Sequence, residues 1–207
     1  MFVIAIGTLL LLVTDAFPGD ASLGAKFWMA LFQSMTAMTT VGFNTVPIGA
    51  LSHSALFLLV ILMLIGASPA GTGGGIKSTT IVAVVAQMIS TLRGKVNVTL
   101  FERQIPLYRL RLASASFTFY IIVLTVGIYF LNIAEAHSVF SVIFEAVSAL
   151  GTVGLSMGIT ADLTLPGKMV VIGLMMLGRI GPLTIGLALL SERDGIDDLG
   201  WHEDVVL

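Results

Sequence analysis

Two glycine-centred pentads constrain this chain more than anything else in it: Thr40-Val41-Gly42-Phe43-Asn44 and Thr152-Val153-Gly154-Leu155-Ser156. Each follows a short apolar segment, residues 26–39 and 137–150. Neither segment reaches the roughly 20 apolar residues that a helix needs to cross a bilayer. Each therefore reads as a re-entrant helix that dips in and turns back. Irregular backbone at membrane depth is tolerated only where protein buries it or water meets it. Thr-Val-Gly is also the backbone of a cation filter, in which carbonyl oxygens replace an ion's hydration shell.

Lipid is the solvent for most of the chain. Of 207 residues, 57% are hydrophobic and 11% charged, against about 25% charged in soluble domains. A net charge of −2 gives no reason to expect nucleic acid as a partner. The chain has no cysteine, so disulfides and thiolate metal sites are excluded. Residues 1–13 are apolar, short for a span, and lack the basic start of a secretory signal. They read as a transmembrane helix cut short, and the chain as a fragment or split half of something longer.

Arg93, Lys95, Arg103, Arg109 and Arg111 stand against the single acid Glu102 in residues 91–111. The positive-inside rule places this connection in the cytoplasm. Residues 112–134 read as a span going out and 168–190 as a span returning. The organisation is an all-α membrane protein of two span–re-entrant loop–span repeats, as in potassium-channel-like pores. Residues 1–90 form the first unit, with an intramembrane glycine-rich break at 68–76. Residues 91–111 are the cytoplasmic connection, 112–190 the second unit and 191–207 a cytoplasmic tail. An offset of 112 residues lays Phe32 on Phe144, Ala37 on Ala149, Gly42 on Gly154 and Gly66 on Gly178. Both units enter and leave on the same sides, which suggests parallel repeats about an axis along the membrane normal.

The filter candidates are Thr40, Val41, Gly42 and Phe43 with Thr152, Val153, Gly154 and Leu155. Their backbone carbonyls are the expected potassium ligands, and Gly42 and Gly154 permit the backbone angles required. Each short helix would present its partially negative C-terminal end to a cation. The bland alternative is a tight helix–helix turn with no ion. Further on, Ser68-Pro69-Ala70-Gly71-Thr72-Gly73-Gly74-Gly75 interrupts an apolar run. Proline and glycine break a helix here, and it resumes near Lys77. Thr79 and Thr80 read as caps of the resumed helix. Arg179 follows Lys168 by about 17 Å of helix at 1.5 Å per residue. An arginine at that depth faces protein or water. Its alternative role is a structural salt bridge to an acid such as Glu145.

MTTVGFN (38–44), GASPAGTGGGIKSTT (66–80), ALGTVGLSMGIT (149–160) and MLGRIGPLTI (176–185) resemble the Trk/Ktr potassium-transport superfamily, in particular the membrane subunit of bacterial Ktr systems. The resemblance implies four span–loop–span units around one pore, of which this chain is similar to the third and fourth. The first two would lie upstream or be supplied in trans. It implies that the stretch with Ser68, Gly71, Gly73, Gly74, Gly75 and Lys77 forms a gating loop beneath the filter, with Arg179 as a second gate element. It implies a homodimer in the bacterial plasma membrane, C-terminus cytoplasmic, with a cytoplasmic nucleotide-binding regulatory ring as partner. The expected function is potassium transport, channel-like or sodium-coupled, with K+ or Na+ carried and no covalent cofactor. Two alternatives stay open: a secondary transporter of a small organic solute, and a non-conducting split half.

Other motifs carry less. Gly154-Leu155-Ser156-Met157-Gly158 is a literal G-x-S-x-G without the strand–turn–helix setting of a hydrolase. Ile76 spoils a phosphate loop between Gly75 and Lys77. His53, His137 and His202 lack zinc spacing. No enzyme activity is expected. Met35 and Met38 read as packing, with a part in supporting the filter from behind.

Overall fold

The computed structural model describes residues 2–14, 17, 22–66, 73–95, 97–100 and 103–181. Among these residues, seven helices run in order: α1 Phe2–Val13, α2 Leu23–Met38, α3 His53–Leu64, α4 Ser78–Leu92, α5 Leu107–Ala134, α6 Val139–Leu150 and α7 Leu165–Ile180. A short pair of strands, β1 Thr99–Leu100 with β2 Arg103–Gln104, lies between α4 and α5 in an otherwise helical fold.

Hydroxyl caps set four of the helix starts. Ser22, Ser52, Ser138 and Thr164 each accept the amide of the third residue on, satisfying a donor the helix leaves open. α4 starts differently: Lys77 occupies the cap position with no side-chain bond, and Thr79 and Thr80 lie inside the first turn. The expected threonine cap is therefore absent, because the helix begins earlier than that role requires.

α5 begins at Leu107, after Pro106 with φ of −58°. Arg109 and Arg111 thus lie within the helix, not in the connection before it. The fixed φ of proline pre-sets the chain for a helix start, and this local preference outweighs the polarity of the next residues. With 28 residues, including an 18-residue stretch of mean hydropathy 2.0, α5 is, among the described residues, the one helix long and apolar enough to cross a membrane. Its Ile122, Tyr129, Phe130 and Ile133 are exposed. At 1.5 Å per residue α2 is about 24 Å long and α6 about 18 Å, both short of a hydrocarbon core of about 30 Å.

The core forms where α3 meets α6. Leu59 and Met63 of α3 and Phe144, Val147 and Leu150 of α6 are buried there. α5 packs on both α6 and α7, and α1 on α2 and α3. The α6–α7 contact is tight at Gly178, where a Cβ would overlap the Leu150 carbonyl oxygen. This brings the last turn of α7, which carries Arg179, against the end of α6.

Candidate functional site

Both Thr-Val-Gly strings grow out of helix ends with one backbone design. In the first, Val41 donates its amide to the Thr36 carbonyl at 3.2 Å, and Thr40 has φ of 57°. In the second, Val153 donates to the Ser148 carbonyl at 2.9 Å, and Thr152 has φ of 53°. A six-to-one bond around a left-handed residue is the Schellman helix ending, where glycine is usual. Here a β-branched threonine takes that place in both turns, an outlying conformation that costs on the order of 1–3 kcal/mol each. Gly42 and Gly154 follow with φ of 81° and 91°. A one-turn 3-10 helix comes next in each case, Ile48–Ala50 and Thr160–Asp162. α3 and α7 then begin at the matching places.

The two turns meet. A Cβ on Gly42 would overlap the Val153 carbonyl oxygen and come within 3.3 Å of the Gly154 Cα. Their surroundings differ. Val153 and Leu155 are 3% and 2% exposed, whereas Val41 and Phe43 are 55% and 70% exposed. Ser148, one turn back on α6, accepts the Gly154 amide on its Oγ at 3.2 Å.

The glycine-rich segment reaches the second turn. Its two feet are held together by a bridge between Ile65 and Ile76, with the Ile76 amide donating to the Leu64 carbonyl at 3.3 Å. Gly74 donates its amide to Thr152 Oγ1 at 2.9 Å. Gly75 takes φ of 80°. Lys77 donates from Nζ to the Gly73 carbonyl at 3.2 Å. Ser68 and Gly71 lie outside the described residues.

A cavity of about 390 Å³ opens beside the second turn. Thr152, Val153 and Gly154 line it, with Arg179 and Glu145. Arg179 therefore stands by the second turn, while the glycine-rich segment reaches that turn at Gly74 through Thr152. Glu145 accepts a hydrogen bond from Ser156, and its Oε1 lies 2.9 Å from Thr160 Oγ1. Met35 is half exposed on α2, whose buried residues are Ala30, Gln33, Ser34, Thr36 and Ala37.

Two carboxylates carry more of the site than their places in the sequence suggest. Sequence alone offers Glu145 only as a partner for Arg179, and gives Glu135 no role. Glu135, at the end of α5, accepts from the Thr164 amide at 2.8 Å and the Thr164 hydroxyl at 2.7 Å. It lies at the start of α7, where negative charge is favoured. The available signal is an acid within or beside an apolar run, which needs partners to be tolerated.

The chain matches the family described as "Cation transport protein" (TrkH) over residues 4–194. Ktr system potassium uptake protein D of Bacillus subtilis (strain 168) is 42% identical over 191 residues, covering 92% of this chain and 42% of that protein. Ktr system potassium uptake protein B of the same organism is 40% identical over 161 residues, covering 77% and 36%. The solved potassium transporter TrkH of Vibrio parahaemolyticus has a TM-score of 0.74 at 23% identity, covering 93% of this chain and 42% of that one, a likeness of fold. The chain spans about two fifths of the length of these relatives. It belongs to the TrkH family of cation transport proteins.

Proposed function

We propose that this chain forms one half of a potassium pore in the bacterial plasma membrane, as two span–re-entrant loop–span units. α2 and α6 are the re-entrant helices, and residues 40–43 and 152–155 are their filter segments. One observation carries this reading: two Thr-Val-Gly turns of the same strained backbone face each other at Gly42 and Gly154. Strain of this kind persists only where the surroundings impose it, and it gathers at functional sites. The names of the relatives, potassium uptake proteins of Ktr systems, supply the cation. The exposed apolar face of α5 meets lipid.

The gate is the glycine-rich stretch 68–76 with Arg179. Gly74 bonded to Thr152 ties that stretch to the filter, and Arg179 lines the cavity beside it. A cationic side chain there opposes a passing cation by charge repulsion. The remaining two units complete the ring of carbonyls, from the same polypeptide or in trans. A homodimer with a cytoplasmic nucleotide-binding ring is the assembly we propose, and K+ flux down its gradient or coupled to Na+ the activity.

A second reading has its own support. The Val153 carbonyl lies against the Gly42 backbone, so the two turns close on each other when only they are present. On that reading the chain conducts nothing until the other units part the turns. Rescue of a potassium-uptake-deficient bacterium tests both. Both readings expect growth at low K+ when the chain is expressed with the other two units and none from the chain alone, and growth from the chain alone overturns the second. No rescue by the complete assembly overturns potassium transport.

A further inference from the structure

Each of the two helices that lead into the turns carries two buried polar positions three residues apart: Gln33 and Thr36 on α2, Glu145 and Ser148 on α6. The offset of 112 lays Gln33 on Glu145 and Thr36 on Ser148. All four are buried. Their bonding is opposite.

On α6 both positions are engaged by the turn in front of them. Ser148 holds the Gly154 amide. Glu145 holds Ser156 through Oε1. Thr160 Oγ1 stands 2.9 Å from Glu145 Oε1 and 2.8 Å from Ser156 Oγ, sharing one proton between them. Ser156 also accepts the Gly158 amide at 2.9 Å. The Gly154 peptide thus sits between an anchor before it and an anchor after it, both from one face of one helix. On α2 the same positions hold nothing: Gln33 Oε1, Gln33 Nε2 and Thr36 Oγ1 are buried without a hydrogen-bond partner among the described residues. Asn44 and Ile48 occupy the places of Ser156 and Thr160. Asn44 turns away to the Val46 carbonyl at 3.0 Å, and Ile48 has no hydroxyl to offer.

We infer that Glu145 is a positioning residue for ion selection, bracing the second filter segment through Ser156 and Thr160, and that the first segment lacks this brace, so the two filter segments are of unequal rigidity. The inference rests on the potassium-pore reading above. Selection among cations of similar charge depends on how firmly the carbonyls hold their spacing and number around the ion. Hydrogen bonds to a carboxylate are about twice as strong as neutral ones, and inside a low-dielectric site they rigidify what they join. Among the described residues the first turn has its backbone closure, Val41 to Thr36, and the local Asn44 to Val46 bond, with no side-chain bond from α2 at Gln33 or Thr36. Unpaired buried groups are costly, which leaves Gln33 and Thr36 poised to take new partners when that turn shifts.

The test measures K+ and Na+ uptake per transporter in membranes, with the completed assembly. Glu145→Gln and Ser156→Ala are expected to lower the K+ to Na+ uptake ratio by roughly tenfold, the equivalent of about 1.4 kcal/mol. Ser156→Thr, which keeps the hydroxyl, restores it. A purely structural Glu145 predicts fewer transporters with an unchanged ratio, and that result overturns the inference. Ser156→Ala removes one hydroxyl and carries the test alone where Glu145→Gln fails to accumulate. An unaltered assembly that moves no K+ sinks the pore reading and this inference with it. A selective unaltered assembly with an unchanged ratio in the variants sinks this inference only.

Discussion

The amide of Gly74 and the hydroxyl of Thr152, 78 residues apart in sequence, meet at 2.9 Å. One end of this bond belongs to the glycine-rich interruption and the other to a residue in left-handed conformation at the mouth of the second turn. A bond between those two parts couples the position of the loop to the shape of the turn.

Thr152→Val removes the acceptor and leaves a buried amide unpaired, a loss of about 1–3 kcal/mol. Amide hydrogen exchange in residues 73–77 is expected to quicken by roughly one to two orders of magnitude. Thr152→Ser keeps the oxygen and is expected to exchange at the original rate. Equal exchange in Thr152→Val and the unaltered protein removes the latch.

Gly42 and Gly154 should respond unequally to serine. Both have positive φ, but a Cβ at Gly42 meets the Val153 carbonyl, which is backbone and cannot swing aside. At Gly154 the nearest neighbour stands 3.8 Å away. Gly42→Ser is expected to abolish K+ uptake. Gly154→Ser should retain uptake with weaker preference for K+ over Na+. A competition uptake assay with both ions reads the difference, and equal damage from the two changes would count against the contact between the turns.

Arg179→Ala should raise cation flux through the completed assembly. Relief of about 1.4 kcal/mol of charge repulsion corresponds to roughly tenfold. Tracer K+ uptake at matched expression checks this. Unchanged or lower flux takes Arg179 out of the gate.

Two glycines of α7 form an internal control for packing. Gly178→Ala forces a methyl group into the Leu150 carbonyl and is expected to cost about 1–3 kcal/mol by overpacking. Gly173 has nothing within 4 Å of an added Cβ, so Gly173→Ala should stabilise by roughly 0.5–1 kcal/mol through helix propensity. Thermal unfolding in detergent should move in opposite directions for the two.

Much of the chain is legible from its residues alone. The GTGGGIK and MTTVGFN strings point to the Trk/Ktr group, and the match over residues 4–194 agrees. Apolar runs locate the helices, since runs that long in a chain this poor in charge have to be buried in lipid or protein. Helix edges are less legible. Arg109 and Arg111 read as connection by their charge, yet Pro106 commits the backbone to a helix ahead of them. The left-handed Thr40 and Thr152 are hidden as well, because threonine ordinarily avoids that conformation and nothing local asks for it.

The amino-acid order alone determined the family, the helical class and the recurrence of one turn at two places, because hydrophobic runs and glycine placement act over a few neighbouring residues. Only the tertiary structure decided that the recurring turns are unlike in their support. Val153 and Leu155 are covered while Val41 and Phe43 are not, and among the described residues Glu145 is bonded where Gln33 is not. Those differences arise from which helix packs behind each turn, a matter of contacts between residues far apart in the chain, and such contacts leave no periodic trace in the sequence.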